Sequence, residues 1–325
     1  MRTAARLAVL LVSVAAPPAA FAQRIPFERT LDIAAAATLE VSTNRGKIDV
    51  TTGPPGRIIV RGAATVRVGW DVPANAEEIA RRVAAAPPIE HVGHTVRLRI
   101  PSERDAQRAV TISYRVEVPP ETRVQTVSNS GETSVHGTGA TVDVRTQSGA
   151  IDLGSLSGPV QISTGSGAVT ASAIAGALSV TTSSSSFAGS HLGSSFRART
   201  RSGNIDATLD GGGDVDVQTG SSAITLRGVR GGLTVTTQSG RVTVEGTPAA
   251  DWIATTSSSS VSFEFTKGQG FELDAESRSG SVTLTGANLS GPVTKRSAKG
   301  TADGGGPLVH IRSGSGAIRI QSTTR

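Results

Sequence analysis

The chain has 325 residues, is rich in Gly (38 residues), is poor in aromatic residues (3%) and contains no Cys. The missing Cys residues exclude a disulfide scaffold, a thiolate-bound metal or iron–sulfur cluster, and a cysteine nucleophile. The net charge of +6 at pH 7 is too small for this length to indicate a nucleic-acid-binding protein.

The first 22 residues have the pattern of a secretory signal peptide. Arg2 and Arg6 form a basic start, Leu7 to Ala16 is apolar, and Ala20-Phe21-Ala22 has the small-residue pattern of a cleavage site. The alternative, an uncleaved membrane anchor, is less favoured because the apolar run is short for a bilayer. We therefore expect an exported protein that begins at Gln23 and is periplasmic, associated with the outer envelope or extracellular.

Residues 23–120 contain several predicted elements of mixed type. Val41 to Val50 resembles one coil of a repeat, and Arg57 to Val68 is strand-like. A short helix is predicted from Asn75 to Ala86, with Asn75 as the N-cap and two prolines after its end. The stretches 95–100 and 110–118 alternate apolar and polar residues, which predicts two further strands.

From residue 130 onwards the phrase Ser-Gly-x-Ile/Val recurs at a regular spacing. Its Gly position, which Ser or Ala takes in the weaker copies, falls at residues 131, 149, 167, 185, 203, 222, 240, 259, 280, 298 and 316. The steps between copies are 18 to 21 residues, and a fixed period of this length is the signature of a solenoid.

Each repeat predicts two short strands joined by a tight turn. Val142 to Thr146 alternates apolar and polar residues, Ser148-Gly149 interrupts the pattern, and Ile151 to Leu153 resumes it. Such strands can bury their apolar side only by stacking on the next coil. The fold class is therefore all-β, a parallel β-solenoid (β-helix) of about eleven coils of 18–19 residues, with a β-sandwich or barrel as the alternative.

The predicted organisation has three parts: a signal peptide (1–22), N-terminal strands with a short helix (23–120) and the solenoid (121–325). The second part is expected to cap the first coil, because an open strand edge at the end of a solenoid invites aggregation.

The repeat also carries a family resemblance. Val116-Glu117-Val118-Pro119-Pro120 leads into Val124-Gln125-Thr126, and the pattern T-x-S-G-x-I-x-V then recurs. This sequence resembles the bacterial putative-adhesin family of secreted β-strand-repeat proteins, most clearly from about residue 110 to residue 325. The resemblance implies a right-handed parallel β-solenoid in an exported protein. It supplies no catalytic motif, since the family is one of unknown function.

Carboxylates are the first candidate site residues, because many parallel β-helices cleave polysaccharides. Aligning the coils places Asp152 and Asp206 in one outward column, three coils and about 14 Å apart, which is too far for a glycosidase pair. Asp210, Asp214 and Asp216 lie in a Gly-rich turn that resembles a calcium-binding phrase, but it occurs once, and a flexible turn explains it better. No catalytic residue, metal ligand or cofactor is predicted.

Two serine runs, Ser183 to Ser186 and Ser257 to Ser260, could form a ladder of hydroxyls for a glycan. They replace Ser-Gly turns, so a structural role suffices, and Trp70 and Trp252 are the chain's two Trp residues available as a stacking platform.

The C-terminal coils are the basic part of the chain. From Ser290 onwards six basic residues stand against Asp303 alone. The residues predicted to contact an anionic surface are Arg278, Lys295, Arg296, Lys299, Arg312 and Arg319. The alternative role is a solvated end that discourages stacking of one rod on another.

Together these patterns favour a non-enzymatic secreted or envelope β-solenoid, adhesin-like, that presents a polar Thr/Ser surface. The expected partner is an envelope polysaccharide or an anionic lipid surface, and no nucleic acid. The alternative function is a carbohydrate-active β-helix enzyme, a lyase or a hydrolase, whose site has no recognisable motif.

Overall fold

The computed structural model of the protein describes residues 23–33 and 36–323, so the predicted signal peptide lies outside the described residues. The N-terminal elements are β1 (Arg24–Asp32), β2 (Thr38–Thr43), β3 (Ile48–Thr52), β4 (Arg57–Val66), α1 (Ala76–Ala85), β5 (Ile89–Val92), β6 (Thr95–Leu98), α2 (Arg104–Ala109) and β7 (Val110–Val118). The short helix and the strands of this part are thus formed close to their predicted bounds, and α2 is an addition.

Short strands make up the rest of the chain. They are β8 (Arg123–Ser128), β9 (Thr133–His136), β10 (Val142–Thr146), β11 (Ile151–Leu156), β12 (Val160–Thr164), β13 (Val169–Ile174), β14 (Leu178–Thr182), β15 (Phe187–Leu192), β16 (Phe196–Thr200), β17 (Ile205–Leu209), β18 (Val215–Ser221), β19 (Ile224–Val229), β20 (Leu233–Ser239), β21 (Val242–Gly246), β22 (Trp252–Thr256), β23 (Val261–Thr266), β24 (Phe271–Ser277), β25 (Val282–Thr285), β26 (Leu289–Ser290), β27 (Ser297–Ala302), β28 (Leu308–Ser313) and β29 (Ile318–Thr323).

These strands form two long sheets, and each coil contributes one strand to each sheet. The first sheet has the order β1-β4-β7-β3-β9-β11-β13-β15-β17-β19-β21-β23-β29-β25. The second sheet has the order β26-β27-β24-β28-β22-β20-β18-β16-β14-β12-β10-β8-β2-β6-β5. From β8 to β23 all neighbours are parallel, as a solenoid requires. The prediction of an all-β solenoid is confirmed at this level.

The core follows from the alternation within each strand. In the second sheet Val142 pairs with Val160, Val160 with Leu178 and Leu178 with Phe196, and all four side chains are buried. Since strand residues alternate between faces, the apolar residues of every coil point into one shared interior. The residues between them point outwards and form the polar surfaces described below.

The recurrent turn is held by a hydroxyl of the preceding strand. The backbone N–H of Gly149 donates to Thr146 Oγ1 at 3.0 Å, and Gly131 and Gly316 donate in the same way to the hydroxyls of Ser128 and Ser313 at 2.9 Å. A Cβ atom added to Gly149 would overlap the carbonyl oxygen of Gly131 in the neighbouring coil. In the T-x-S-G phrase, the Thr therefore supplies a buried hydrogen-bond acceptor, and the Gly permits the close approach of the neighbouring coil.

The order of coils at the C-terminal end differs from the predicted sequential order. The last coil, β28 and β29, lies between the coil of β22 and β23 and the coil of β24 and β25. The chain's first coil, β2 and β3, is likewise inserted beside β8 and β9. Both described ends of the chain are therefore covered by strands that come from elsewhere in the sequence.

The predicted repeat copy at Ser297-Ala298 is not a coil, and this prediction was wrong. β27 runs antiparallel to β24, pairing Ala298 with Ala275. The reversal follows Pro292 and a turn in which Thr294 N–H donates to the Ser297 carbonyl at 2.7 Å. Proline cannot donate to a parallel ladder, so the chain turns back here instead of continuing the solenoid.

At the N-terminal end, β1, β4 and β7 form an antiparallel extension of the first sheet. Helix α1 packs against β4 with Ile79 and Val83 buried. Asn75 precedes α1 as predicted, but its side chain makes no capping hydrogen bond within the described chain.

Candidate binding surfaces

The outer face of the second sheet carries an in-register row of polar side chains. Thr181, Arg199, Gln218, Thr236 and Thr255 pair in succession along five neighbouring strands. Adjacent strands lie about 4.8 Å apart, so the row repeats at that interval along the solenoid. It lines a shallow groove of about 490 Å³, which we call the polar groove. The row thus combines three threonine hydroxyls with one guanidinium and one amide group.

A second depression of about 530 Å³ continues the polar groove towards the C-terminal coils. Both share Thr256 and Ser257 in their walls, and the second adds Glu276, Arg278 and Arg312. A long ligand can therefore pass from the polar row to Arg278 without leaving the surface.

The two serine runs have divided roles. Ser185 and Ser259 take the Gly position of the turn and are buried, with 2% and 1% of their surface exposed. Ser257 lines the polar groove. The runs therefore do not form a continuous hydroxyl ladder, because the third serine of each run faces the interior.

The two Trp residues do not flank this groove as a stacking platform. Trp252 is fully buried, with its indole N–H donating to the Gly231 carbonyl at 2.9 Å. Trp70 lies in the N-terminal part, in the loop after β4. Aromatic stacking on a sugar ring is therefore not a feature of the polar groove.

Of the six predicted basic residues, Arg312 is bound by acids of the neighbouring strand. Its guanidinium forms a two-pronged pair with Asp274, both contacts at 3.0 Å, and lies 3.6 Å from Glu276. The hydrogen bond from Arg312 holds the pKa of Asp274 below its usual value. Arg312 is thus a fixed part of the groove wall.

The other five basic residues make no ion pair within the described part of the chain. Arg278 lies in the depression beside Arg312, and Ser277 N–H donates to the Arg296 carbonyl at 2.9 Å. Arg296 therefore lies near Arg278, in the reversing segment directly before β27. Lys299 pairs with Asp274 in backbone register, and Lys295 lies beside Val282. Arg319 lies on the first sheet and does not join this group.

The outward carboxylates are engaged with basic side chains. Asp152 and Asp206 lie in one column of the first sheet, separated by Thr170 and Ala188, as predicted. Asp206 pairs with Arg227 at 2.6 Å, and Asp152 lies 3.3 Å from His136. Asp206 thus contacts a basic side chain of the next coil, and Asp152 contacts a histidine of the preceding coil.

The Gly- and Asp-rich turn has its three carboxylates directed to different partners. Asp210 contacts His191 at 2.7 Å, and Asp216 contacts Arg197 at 3.1 Å. Asp214 accepts the Gly232 N–H at 2.9 Å. Among the described residues no group of three or more His, Asp or Glu side chains is placed to hold a metal ion.

A cavity that the sequence analysis missed lies in the N-terminal part, between β2, α2 and β7. It measures about 480 Å³. Five arginines line it: Arg45, Arg67, Arg99, Arg104 and Arg108. They come from separate segments of the chain, so no linear sequence motif predicts the cavity. The spacing of Arg104 and Arg108, one helical turn, is the single local signal of it.

A stack of short parallel coils with a polar exterior places the protein among the all-β solenoids. The chain belongs to the Toastrack DUF4097 family, whose model matches residues 93–321. The recognition of a family of unknown function from the T-x-S-G repeat is therefore confirmed.

Three solved structures are similar to this chain over 92% of its length. One is a putative cell adhesion protein from Clostridium sporogenes, 11% identical, covered over 100% of its chain, with a TM-score of 0.21. Another is a putative adhesin from Bacteroides fragilis, 9% identical, covered over 97%, with a TM-score of 0.34. A third is a putative lipid binding protein from Parabacteroides distasonis, 12% identical, covered over 96%, with a TM-score of 0.30. No curated protein sequence matches the chain.

The two helices within residues 23–33 and 36–323 are too short, and not apolar enough, to cross a membrane.

Proposed function

We propose that the protein is a non-enzymatic, exported, adhesin-like β-solenoid whose polar groove binds an extended envelope polysaccharide. The observation that carries this proposal is the in-register row from Thr181 to Thr255. Three hydroxyl groups, one amide and one guanidinium lie there in register on successive strands. A polymer of sugar rings, with hydroxyl groups along its length, can make repeated hydrogen bonds to such a row.

The charge of the groove favours an acidic polymer. Arg199 and Arg201 line the polar groove, and Arg278 lies in its continuation without an ion pair in the described chain. Guanidinium groups bind carboxylate and sulfate groups through paired hydrogen bonds. Lys295, Arg296 and Lys299 lie beyond Arg278 and extend the same cationic end towards an anionic cell-surface polymer.

The remaining details of the organisation belong to this proposal. Residues 1–22 direct export, residues 23–120 contribute the coil of β2 and β3 and close the end of the stack, and residues 121–325 form the other coils of the solenoid. The strands β1, β4 and β7 support the capping role. They pair antiparallel at the end of the first sheet, so the parallel stack of coils has no open edge there.

The alternative is a polysaccharide lyase or hydrolase. Glycoside hydrolysis by the usual route needs two carboxylates about 5 to 9.5 Å apart. The acid in the wall of the groove continuation is Glu276, and it is paired with Arg312. This pairing favours binding over cleavage.

Affinity electrophoresis of the purified protein in gels containing polygalacturonate or neutral dextran tests the proposal. Polygalacturonate should retard the protein, and the double variant Arg199→Ala/Arg278→Ala should bind it about tenfold more weakly, as expected for the loss of about 1.4 kcal/mol. Arg123→Ala/Arg241→Ala, which removes the same charge from exposed positions outside the groove, is the matched control.

Equal retardation of both double variants would show that binding follows net charge and not the groove, and would overturn the proposal. Incubation with the polymers should release no new reducing ends and no unsaturated products. Their appearance would instead establish the enzymatic alternative.

A further inference from the structure

The arginine-lined cavity at the N-terminal end has the composition of an anion-binding pocket. Its wall contains five arginines together with Asn44 and Asn129 of the solenoid corner and Gln107 of α2, and no acidic residue. A volume of about 480 Å³ lies within the range of small-ligand sites. We call these five residues, Arg45, Arg67, Arg99, Arg104 and Arg108, the arginine pocket.

Three of the five guanidinium groups are available to a ligand. Arg67 donates to the Arg108 carbonyl at 2.8 Å and lies 3.8 Å from Asp71, and Arg99 pairs with Glu90 at 3.0 Å. Within the described chain, Arg45, Arg104 and Arg108 make no side-chain hydrogen bond or ion pair. Like charges gathered around one cavity repel one another, so an anion that enters it relieves that repulsion.

The nearby acids do not cancel this charge. Asp71 and Glu90 are occupied by Arg67 and Arg99, and Glu103 pairs with Arg82 at 2.7 Å. Asp105, in α2, is the remaining acid of this helix and makes no ion pair in the described chain. The three available arginines therefore keep an excess of positive charge.

Two large apolar side chains are exposed directly beside the pocket. Trp70 is 99% exposed and Val68 is 79% exposed, and both belong to the loop that follows Arg67. The loop is anchored by a hydrogen bond from Arg67 N–H to the Ala109 carbonyl at 2.8 Å. Tryptophan has a strong preference for the headgroup level of a bilayer, where its ring is apolar on one side and hydrated on the other.

We propose that the N-terminal end docks on an anionic phospholipid bilayer, with the arginine pocket binding headgroup phosphate and Trp70 and Val68 lying at headgroup level. The occupant is a lipid surface because an arginine cluster and an exposed Trp lie side by side, and free phosphate would use the first and leave the second in water. This site is separate from the polar groove and does not depend on the function proposed for it.

Flotation of the purified protein with phosphatidylcholine vesicles, with and without phosphatidylglycerol, tests the docking. The protein should float with the anionic vesicles. Arg45→Ala/Arg104→Ala/Arg108→Ala should lower its partition coefficient about a hundredfold, since each base near an anionic surface is worth about one kcal/mol. Inorganic phosphate added at millimolar concentration should compete only weakly, because it lacks the apolar contact.

Tryptophan fluorescence gives a second readout that does not depend on net charge. Trp252 is fully buried and Trp70 is almost fully exposed, so acrylamide quenching reports Trp70. Anionic vesicles should shift the emission to shorter wavelength and protect it from acrylamide. In Trp70→Phe both changes should disappear.

The variant Arg278→Ala/Arg296→Ala/Lys299→Ala separates this proposal from the polysaccharide-binding one. If it stops flotation while the arginine-pocket variant still floats, lipid binding belongs to the C-terminal end and the docking proposal is wrong. Unchanged Trp70 quenching in the presence of bound vesicles would also overturn it. Loss of polygalacturonate binding alone would affect only the function proposed for the groove.

Discussion

Replacing Thr146 by Val tests whether the recurrent hydroxyl holds the turns of the solenoid. Thr146 is 7% exposed, and its Oγ1 accepts the hydrogen bond of the buried Gly149 N–H at 3.0 Å. Valine has nearly the same shape but offers no acceptor. The variant therefore leaves Gly149 N–H buried and without a partner.

The expected cost is about 1–3 kcal/mol, the penalty for leaving one buried donor unsatisfied. Thr133→Val is the matched control. Thr133 is fully buried, and its hydroxyl has no hydrogen-bond partner in the described structure. Its replacement removes a buried polar atom that forms no hydrogen bond, so the free energy of unfolding should stay the same or rise.

Hydrogen exchange is the appropriate assay, because a solenoid can open coil by coil and not in one step. The amide of Gly149 should exchange roughly ten- to a hundredfold faster in Thr146→Val and at the wild-type rate in Thr133→Val. Denaturant unfolding should rank the two variants in the same order. Equal effects of both substitutions would show that the hydrogen bond accepted by Thr146 does not stabilise the turn.

Two further predictions concern backbone packing and burial. Gly149→Ala should destabilise the protein by about 1–3 kcal/mol, because the added Cβ overlaps the Gly131 carbonyl and forces neighbouring coils apart. Gly212→Ala is the control, because the space around its added Cβ is open. In thermal unfolding this second variant should be nearly neutral. Burial raises the pKa of Tyr114, the single Tyr of the chain, above its ordinary value of 10.0. The phenol should therefore stay protonated in the folded protein while it ionises in the unfolded chain. The free energy of unfolding should consequently fall as the pH rises above 10.0. Ultraviolet titration should show tyrosinate forming only as the protein unfolds, and Tyr114→Phe should remove this part of the alkaline loss of stability. Ionisation of Tyr114 near pH 10.0 in the folded state would contradict the burial argument.

Local patterns in the sequence predicted most of the fold. The spacing of the Gly positions predicted which residues share a column, and the register confirms this from Gly131 to Ser259. It did so because each coil contacts mainly the coil before and after it, so that the period of the chain is also the period of the structure.

The candidate surfaces were predictable only in part. A polar outer face was expected, since residues between inward Val and Ile must point outwards. The neutralisation of Arg312 by Asp274 was not, because the insertion of β28 beside β24 joins two strands that sequential stacking keeps apart. The arginine pocket forms where the segments around residues 45, 67, 99 and 108 meet. No residue spacing in the sequence predicts that these segments come together.

The sequence by itself therefore determined the coil, its inward and outward faces and its turn, because these depend on alternation and on residues three positions apart. Only the tertiary structure decided where the two ends of the chain lie, which charges pair and which arginines gather around a cavity. Those features depend on contacts between segments that are distant in the sequence. These contacts form only when the strand edges at each end of the stack pair with other strands.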